Sequence, residues 1–221
     1  MKHNDFSGAN LNNPHEMTIK IAVIRWFLCR YDLDQLKLIV NEFTANKSRA
    51  RADLMAIVGE DILAVEIKSQ NDRLSRLEKQ VTYLLQLYNR VEIFTTDRHL
   101  DASFQLCRHY RIGLHVFRNE RIQTLLRGRR RKIQNGQLDK NLFPLNIQRR
   151  RDYSPSEEYY RSFLLEKHFR ETNLLREIHS RPACLDPEMV RRLNPHYVIR
   201  RQYNSRRIEY IDNIISNFTL R

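Results

Sequence analysis

The chain has 221 residues, enough for one domain of ordinary size or a domain with an appendage, and its 41% hydrophobic content supports a real core. No apolar run approaches the roughly 18 residues that would span a bilayer, and the N-terminal residues lack the apolar centre of a signal peptide. Cys29, Cys107 and Cys184 are far apart with no Cys-x-x-Cys pair, which argues against a zinc site and a disulfide framework, so a cytoplasmic protein is expected.

The net charge of +13 is unevenly placed: residues 1–120 contribute +2 and residues 121–221 contribute +11. A near-neutral part followed by a strongly basic one predicts two jobs, with nucleic acid as the expected polyanionic partner.

Residues 1–13 are polar and expected to be disordered. Asn13-Pro14-His15-Glu16 then predicts a helix start, with Asn13 as N-cap, Pro14 at the first helical position and Glu16 completing a capping box. Ile19, Ala22, Val23, Trp26 and Phe27 recur at helical spacing as its buried stripe.

Leu36–Phe43 reads as a strand, with Leu36, Leu38, Val40 and Glu42 on one face. An acid ending an apolar face is either exposed where the strand leaves the sheet or a further site carboxylate. The following NKSRAR carries Lys47, Arg49 and Arg51, basic side chains suited to positioning phosphates.

Arg51–Ser69 holds two apolar, β-branched runs on either side of Gly59-Glu60-Asp61, the pattern of a β-hairpin. With Gly59 and Glu60 as the two turn residues, Val58 faces Asp61, and the same register puts Asp53 opposite Glu66. Strand alternation adds Lys68 to that face. Facing carboxylates repel each other unless something holds them together. A hard divalent cation shared by Asp53 and Glu66 would do so, and Lys68 could then orient a water or shield charge on a phosphate, which is the equipment of a phosphodiesterase. An exposed hairpin with solvated acids and a Lys68 ion pair would carry the same residues.

Asp72 is placed to cap a helix from Arg73 to about Asn89, with Leu74, Leu77, Val81, Leu84, Leu85 and Tyr88 as its core stripe. Arg73, Arg76, Gln80 and Tyr83 form the neighbouring polar stripe, the two arginines being candidate phosphate contacts. Val91–Thr96, Leu100–Arg111 and Ile112–Phe117 read as strand, helix and strand, giving an α/β layer fold with a mixed sheet. His99, His109 and His115 show no ligand or nucleophile spacing and read as surface or packing residues, and no glycine-rich phosphate loop is present.

Residues 121–152 read as a basic linker or loop, with Arg129, Arg130, Arg131 and Lys132 in one cluster and Arg149, Arg150 and Arg151 in another, both suited to backbone phosphates. Residues 153–221 are expected to be helical. Ser154-Pro155-Ser156-Glu157 opens a helix to about His179, Asp186-Pro187 opens a second, and Tyr203–Asn217 forms a third. Tyr197, Arg200, Arg201, Tyr203, Arg206 and Arg207 would either grip nucleic acid or pack these helices on the core.

Asp53, then Glu66-Ile67-Lys68 closing a hydrophobic strand, then Gln80 on the next helix resembles the PD-(D/E)XK nuclease superfamily. More narrowly, RADLMAIV, EIKS and DRLSRLEKQVTYL resemble a group of small bacterial and phage proteins assigned to it, over residues 14–118. Ala52 stands where the superfamily's name implies proline. The resemblance implies a restriction-endonuclease-like core over residues 14–120, with a mixed central sheet flanked by helices and a basic helical C-terminal extension. It implies Asp53, Glu66, Lys68 and Gln80 as catalytic residues. Mg²⁺ or Mn²⁺ would be held by Asp53, Glu66 and the Ile67 carbonyl, with Glu16 from the first helix and Glu42 as further candidate ligands. The expected activity is hydrolysis of DNA, in a bacterial or phage defence setting, with a homodimer or protein partner open. The rival is a nucleic-acid-binding or partner-binding protein that keeps this fold without catalysis.

Overall fold

Gly59 and Glu60 turn the chain between β2 (Arg51–Val58) and β3 (Asp61–Lys68), and Val58 faces Asp61 and Leu54 faces Val65, in the expected register. Gly59 sits at φ +57°, a left-handed conformation that costs a residue without Cβ little. The structure is a computed structural model that describes residues 15–44, 51–133, 156–197 and 201.

The hairpin forms the middle of a six-stranded mixed sheet whose strands lie side by side in chain order, from β1 (Leu36–Thr44) through β4 (Arg90–Thr95) and β5 (Gly113–Arg118) to β6 (Arg121–Leu126). β3, β4 and β5 are parallel, and the other neighbours are antiparallel. Parallel neighbours need crossovers, supplied by α2 (Leu77–Leu87) between β3 and β4 and α3 (Leu100–Tyr110) between β4 and β5. This is the expected α/β class, a mixed sheet flanked by helices with a helical C-terminal part.

Both faces of the sheet are covered, which is why β2 and β3 read as continuous apolar runs. On one face Met55, Ile57, Ile62 and Ala64 pack with Leu77, Val81 and Leu84 of α2, Cys107 of α3, and Tyr160 and Leu164 of α4 (Glu157–Lys167). On the other, Leu54, Ala56, Leu63 and Val65 meet Ile19, Val23, Ile24 and Phe27 of α1 (Glu16–Arg30). Leu174, Leu175 and Ile178 of α5 (Phe169–Ser180) and Val190 of α6 (Pro187–Arg192) join that second core. The Asn41 amide group donates to the Val190 carbonyl at 3.1 Å and so ties α6 to β1.

Several local expectations change. α1 begins at Glu16 with His15 at the cap position, so Glu16 closes no capping box; residues 1–14, with Asn13 and Pro14, lie outside the described residues. A register shift between Leu36 and Leu38, and Glu42 at φ +54°, break the simple alternation of β1. Leu36 therefore packs on the α1 side and Leu38, Val40 and Phe43 on the α2 side, and Glu42 does not share their face. Asp72 caps no helix: its carboxylate accepts from the backbone and hydroxyl of Ser69 at 2.7 and 2.6 Å, and a 3₁₀ turn at Leu74–Arg76 precedes α2.

The basic segment expected as a linker over residues 121–152 opens with a strand, β6, and stays on the core as far as Ile133; residues 134–152 lie outside the described residues. Arg129 and Arg131 donate their backbone N–H groups to the carbonyls of Arg111 and Asn89, and Ile133 is buried against the α2 face. The single long helix expected to reach His179 is two helices, parted at His168 (φ −110°, ψ 35°). The apolar stripes of α4 and α5 are buried on opposite faces of the sheet, so the chain has to change direction between them. The helix expected at Tyr203–Asn217 lies outside the described residues. No helix among those described is long and apolar enough to cross a membrane.

Candidate functional site

Apolar residues buried on both faces carry the end of β3 into the interior, and its polar residues go with it: Glu66 is 1%, Lys68 7% and Asp53 9% exposed. The backbone ladder of β2 and β3 extends to Leu54 and Val65. Beyond it, the Ile67 N–H donates to Asp53 Oδ2 at 2.7 Å, so the carboxylate itself binds β3. Glu66 Oε1 accepts from Lys68 Nζ at 2.7 Å and from Gln80 Nε2 at 2.8 Å. Lys68 Nζ also donates to Gln80 Oε1 at 3.1 Å, which closes a three-membered network. Gln80 comes from the first turn of α2, whose apolar stripe fixes which way it faces. Asp53, Glu66, Lys68 and Gln80 are thus brought together.

One oxygen is left out of this network. Glu66 Oε2 is buried without a hydrogen-bond partner, a defect that costs about 1–3 kcal/mol for a polar atom and more for a charged one. Burial first, and the facing Glu66 second, push the Asp53 carboxyl from 3.8 up to about 7, against the lowering effect of the Ile67 N–H. Burial also raises Glu66, opposed by the charge and hydrogen bond of Lys68 and by the Gln80 amide.

A hard divalent cation fits these donors. The buried Glu66 Oε2 has no donor, and burial disfavours the Asp53 charge despite the nearby Lys20, so a cation between them would supply what each is short of. Among the described residues no group of three or more His, Cys, Asp or Glu side chains could hold a metal. The two carboxylates would therefore share the ion with neutral oxygens, as suits Mg²⁺, which keeps several waters. Ile67 acts in the structure through its N–H.

The two further acids are occupied elsewhere. Glu16 pairs with Lys20 at 2.8 Å, and its charge is felt by Asp53 and Glu66 without joining their hydrogen bonds. Glu42, turned by its positive φ, lies 3.6 Å from Lys20 and 3.7 Å from Arg51 and accepts from Asn194 at 3.2 Å. In the structure Glu42, offered as a further candidate ligand, belongs to an ion cluster around Lys20. Lys20 was not foreseen. It is 2% exposed, and its charge lowers the Asp53 carboxyl. Its one sequence signal is a lysine four residues after Glu16 and next to the buried Ile19.

Lys47, Arg49, Arg149, Arg150 and Arg151 lie outside the described residues. Arg51 is exposed and shared with Glu42. Arg73 and Arg76 are exposed just before α2, next to the helix that carries Gln80. The RGRRRK cluster lies at the other end of the sheet and is partly consumed in holding the chain. Arg130 bonds Asp61 and Glu157, and Arg131 bonds the Tyr110 carbonyl. Arg129 and Lys132 are exposed.

A model of the family described as bacteriophage P4 protein cII matches residues 10–217. No curated protein matches the chain. Among solved structures, SPO1766, a protein of unknown function from Silicibacter pomeroyi, is similar with a TM-score of 0.42 at 14% identity, over 76% of this chain and 92% of that one.

Proposed function

Because the chain belongs to the bacteriophage P4 protein cII family, a name that specifies no reaction, we propose a function from the site itself: a divalent-metal-dependent nuclease of the PD-(D/E)XK type that hydrolyses phosphodiester bonds in cytoplasmic DNA. The observation that carries this reading is the buried, unbonded Glu66 Oε2 beside Asp53, with Lys68 fixed at the same strand end.

Asp53 and Glu66 would hold Mg²⁺ or Mn²⁺. Bound there, such an ion supplies positive charge against the phosphate and lowers the pKa of water. An ammonium has three donors, and Lys68 gives two of them to Glu66 and Gln80, which leaves one for a water or a phosphate oxygen. Gln80 fixes the direction of that donor by gripping Lys68 and Glu66 together. Arg73 and Arg76, with no ion partner among the described residues, would position backbone phosphates, and the +11 charge of residues 121–221 adds salt-dependent attraction.

The second reading is a nucleic-acid-binding or partner-binding protein without catalysis. The near-complete burial of Asp53, Glu66 and Lys68 favours it. Supercoiled plasmid incubated with wild type and Lys68→Ala, in Mg²⁺, Mn²⁺ or EDTA, separates the two. Metal-dependent nicking that the variant loses supports the nuclease; salt-sensitive binding that ignores metal, with no nicking by wild type, supports the binding protein.

A further inference from the structure

At the end of the sheet opposite Lys68, where β3 begins at Asp61 and β4 at Arg90, a cavity of about 280 Å³ opens beside the end of α1. It lies roughly 20 Å along β3 from the Asp53–Glu66 site. Its wall holds a chain of polar groups. Thr124 Oγ1 and His115 Nδ1 are 3.0 Å apart, His115 Nε2 and Glu92 Oε2 are 3.0 Å apart, and Arg90 Nη2 donates to Glu92 Oε1 at 2.6 Å. The Glu92 and His115 side chains are 2% and 3% exposed. The backbone makes room for them: a Cβ on Gly113 would lie 1.4 Å from Glu92 Oε2, and one on Gly128 2.9 Å from Glu92 Oε1. His115, expected as a surface or packing residue, does pack, stacked on Phe94 at 4.3 Å, but it also links this polar chain.

The charges around the cavity do not balance. Asp61 pairs with Arg90 and Arg130, Glu92 with Arg90, and Glu157 with Arg130. Arg30 and Arg127, both exposed in the cavity wall, have no carboxylate partner among the described residues, and Arg30 lies over the Trp26 ring at 4.7 Å. Arg90 gives Nη1 to Asp61 and Nη2 to Glu92 and so holds the two acids of the wall in place. Two guanidiniums without a carboxylate partner on one concave polar wall suit a compact oxyanion with several acceptor oxygens.

We infer that this cavity binds a phosphate monoester, with Arg30 and Arg127 on the phosphate. The forked donors of two guanidiniums match the three terminal oxygens of a phosphate monoester better than the two of a carboxylate. A free sugar phosphate and the terminal phosphate of a nucleic-acid strand both offer that group. This inference is independent of the nuclease reading.

The test uses the full chain and its single tryptophan. Trp26 stands in the cavity wall with Arg30 on its ring, so its emission reports on this place. Inorganic phosphate, ribose 5-phosphate and ribose are titrated at low salt, followed by 5′-phosphorylated and 5′-hydroxyl oligonucleotides. The expected result is a saturable change with the phosphate-bearing probes and none with ribose. Arg127→Ala should weaken it at least tenfold, the cost of one charge-assisted hydrogen bond, with an unchanged unfolding temperature. Asp53→Asn should leave it unaltered, which separates this site from the Asp53–Glu66 site. Tighter response to the 5′-phosphorylated oligonucleotide than to ribose 5-phosphate identifies a strand end as the source, and the reverse order identifies a free phosphomonoester. No saturable response to any phosphate probe up to about 10 mM, or a response that Arg127→Ala leaves unchanged, overturns the inference.

Discussion

Replacing Asp53 by asparagine should stabilise the metal-free protein, by an amount that grows with pH. The asparagine amide oxygen can still accept from the Ile67 N–H, so the substitution removes a buried charge while keeping the bond. Burial and the neighbouring Glu66 hold the wild-type carboxyl at about 7, against 3.8 for an ordinary aspartate. A carboxyl raised on folding binds its proton more tightly in the folded state. Its contribution is therefore fully present below about pH 4, is lost as pH rises through 7, and is flat above that. Between pH 5 and 8 the loss spans about two pKa units, or about 3 kcal/mol. For a chain of this length that is about 6–12 °C in unfolding temperature. The amide that replaces the carboxyl does not titrate and carries no such dependence. The assay is urea unfolding of both proteins in EDTA at pH 5, 6, 7 and 8, read as the difference between them. Mg²⁺ or Mn²⁺ added at pH 8 should raise the wild type toward the variant and leave the variant unmoved. A difference that stays constant within about 1 kcal/mol from pH 5 to 8 would refute the reasoning.

Gln80→Ala should slow metal-dependent plasmid cleavage by about 10- to 100-fold with little change in unfolding temperature, because the amide orients Lys68 and Glu66 and is itself only half-buried; equal rates for variant and wild type would remove Gln80 from the site. Gly113→Ala should cost about 3 kcal/mol or more in a urea titration, since its methyl would occupy the position of Glu92 Oε2. A near-neutral result would mean that Glu92 is free to leave His115. Cys107, whose thiol burial pushes up to about 12, should resist iodoacetamide in the native protein at pH 8, whereas the exposed Cys29 and Cys184 react. Peptide mass spectrometry before and after denaturation distinguishes the three.

Much of the Asp53 site was legible because its information is local. A two-residue turn at Gly59-Glu60 fixes the hairpin register by counting, and counting sets Asp53 against Glu66 and Lys68 beside it. Gln80 followed from helical periodicity over a short span. Other details depended on distant packing. Glu42 was expected with the apolar residues of β1, but a positive φ, which side-chain type does not announce, turned it to Lys20. Arg130 and Arg131 looked like free cations in sequence, although their partners Asp61, Glu157 and the Tyr110 carbonyl lie at least 20 residues away.

Periodicity and turn chemistry within a few residues were enough to set the hairpin, the alternation of strands and helices behind it, and the pairing of two carboxylates with a lysine. Three things came only with the packed molecule: the burial of the site, the Glu66 oxygen left without a donor, and the meeting of Glu92, His115 and Thr124 beside a ring of arginines. Burial and charge balance are sums over groups that meet only when the sheet closes between its two layers of helices, so no stretch of the chain carries them alone.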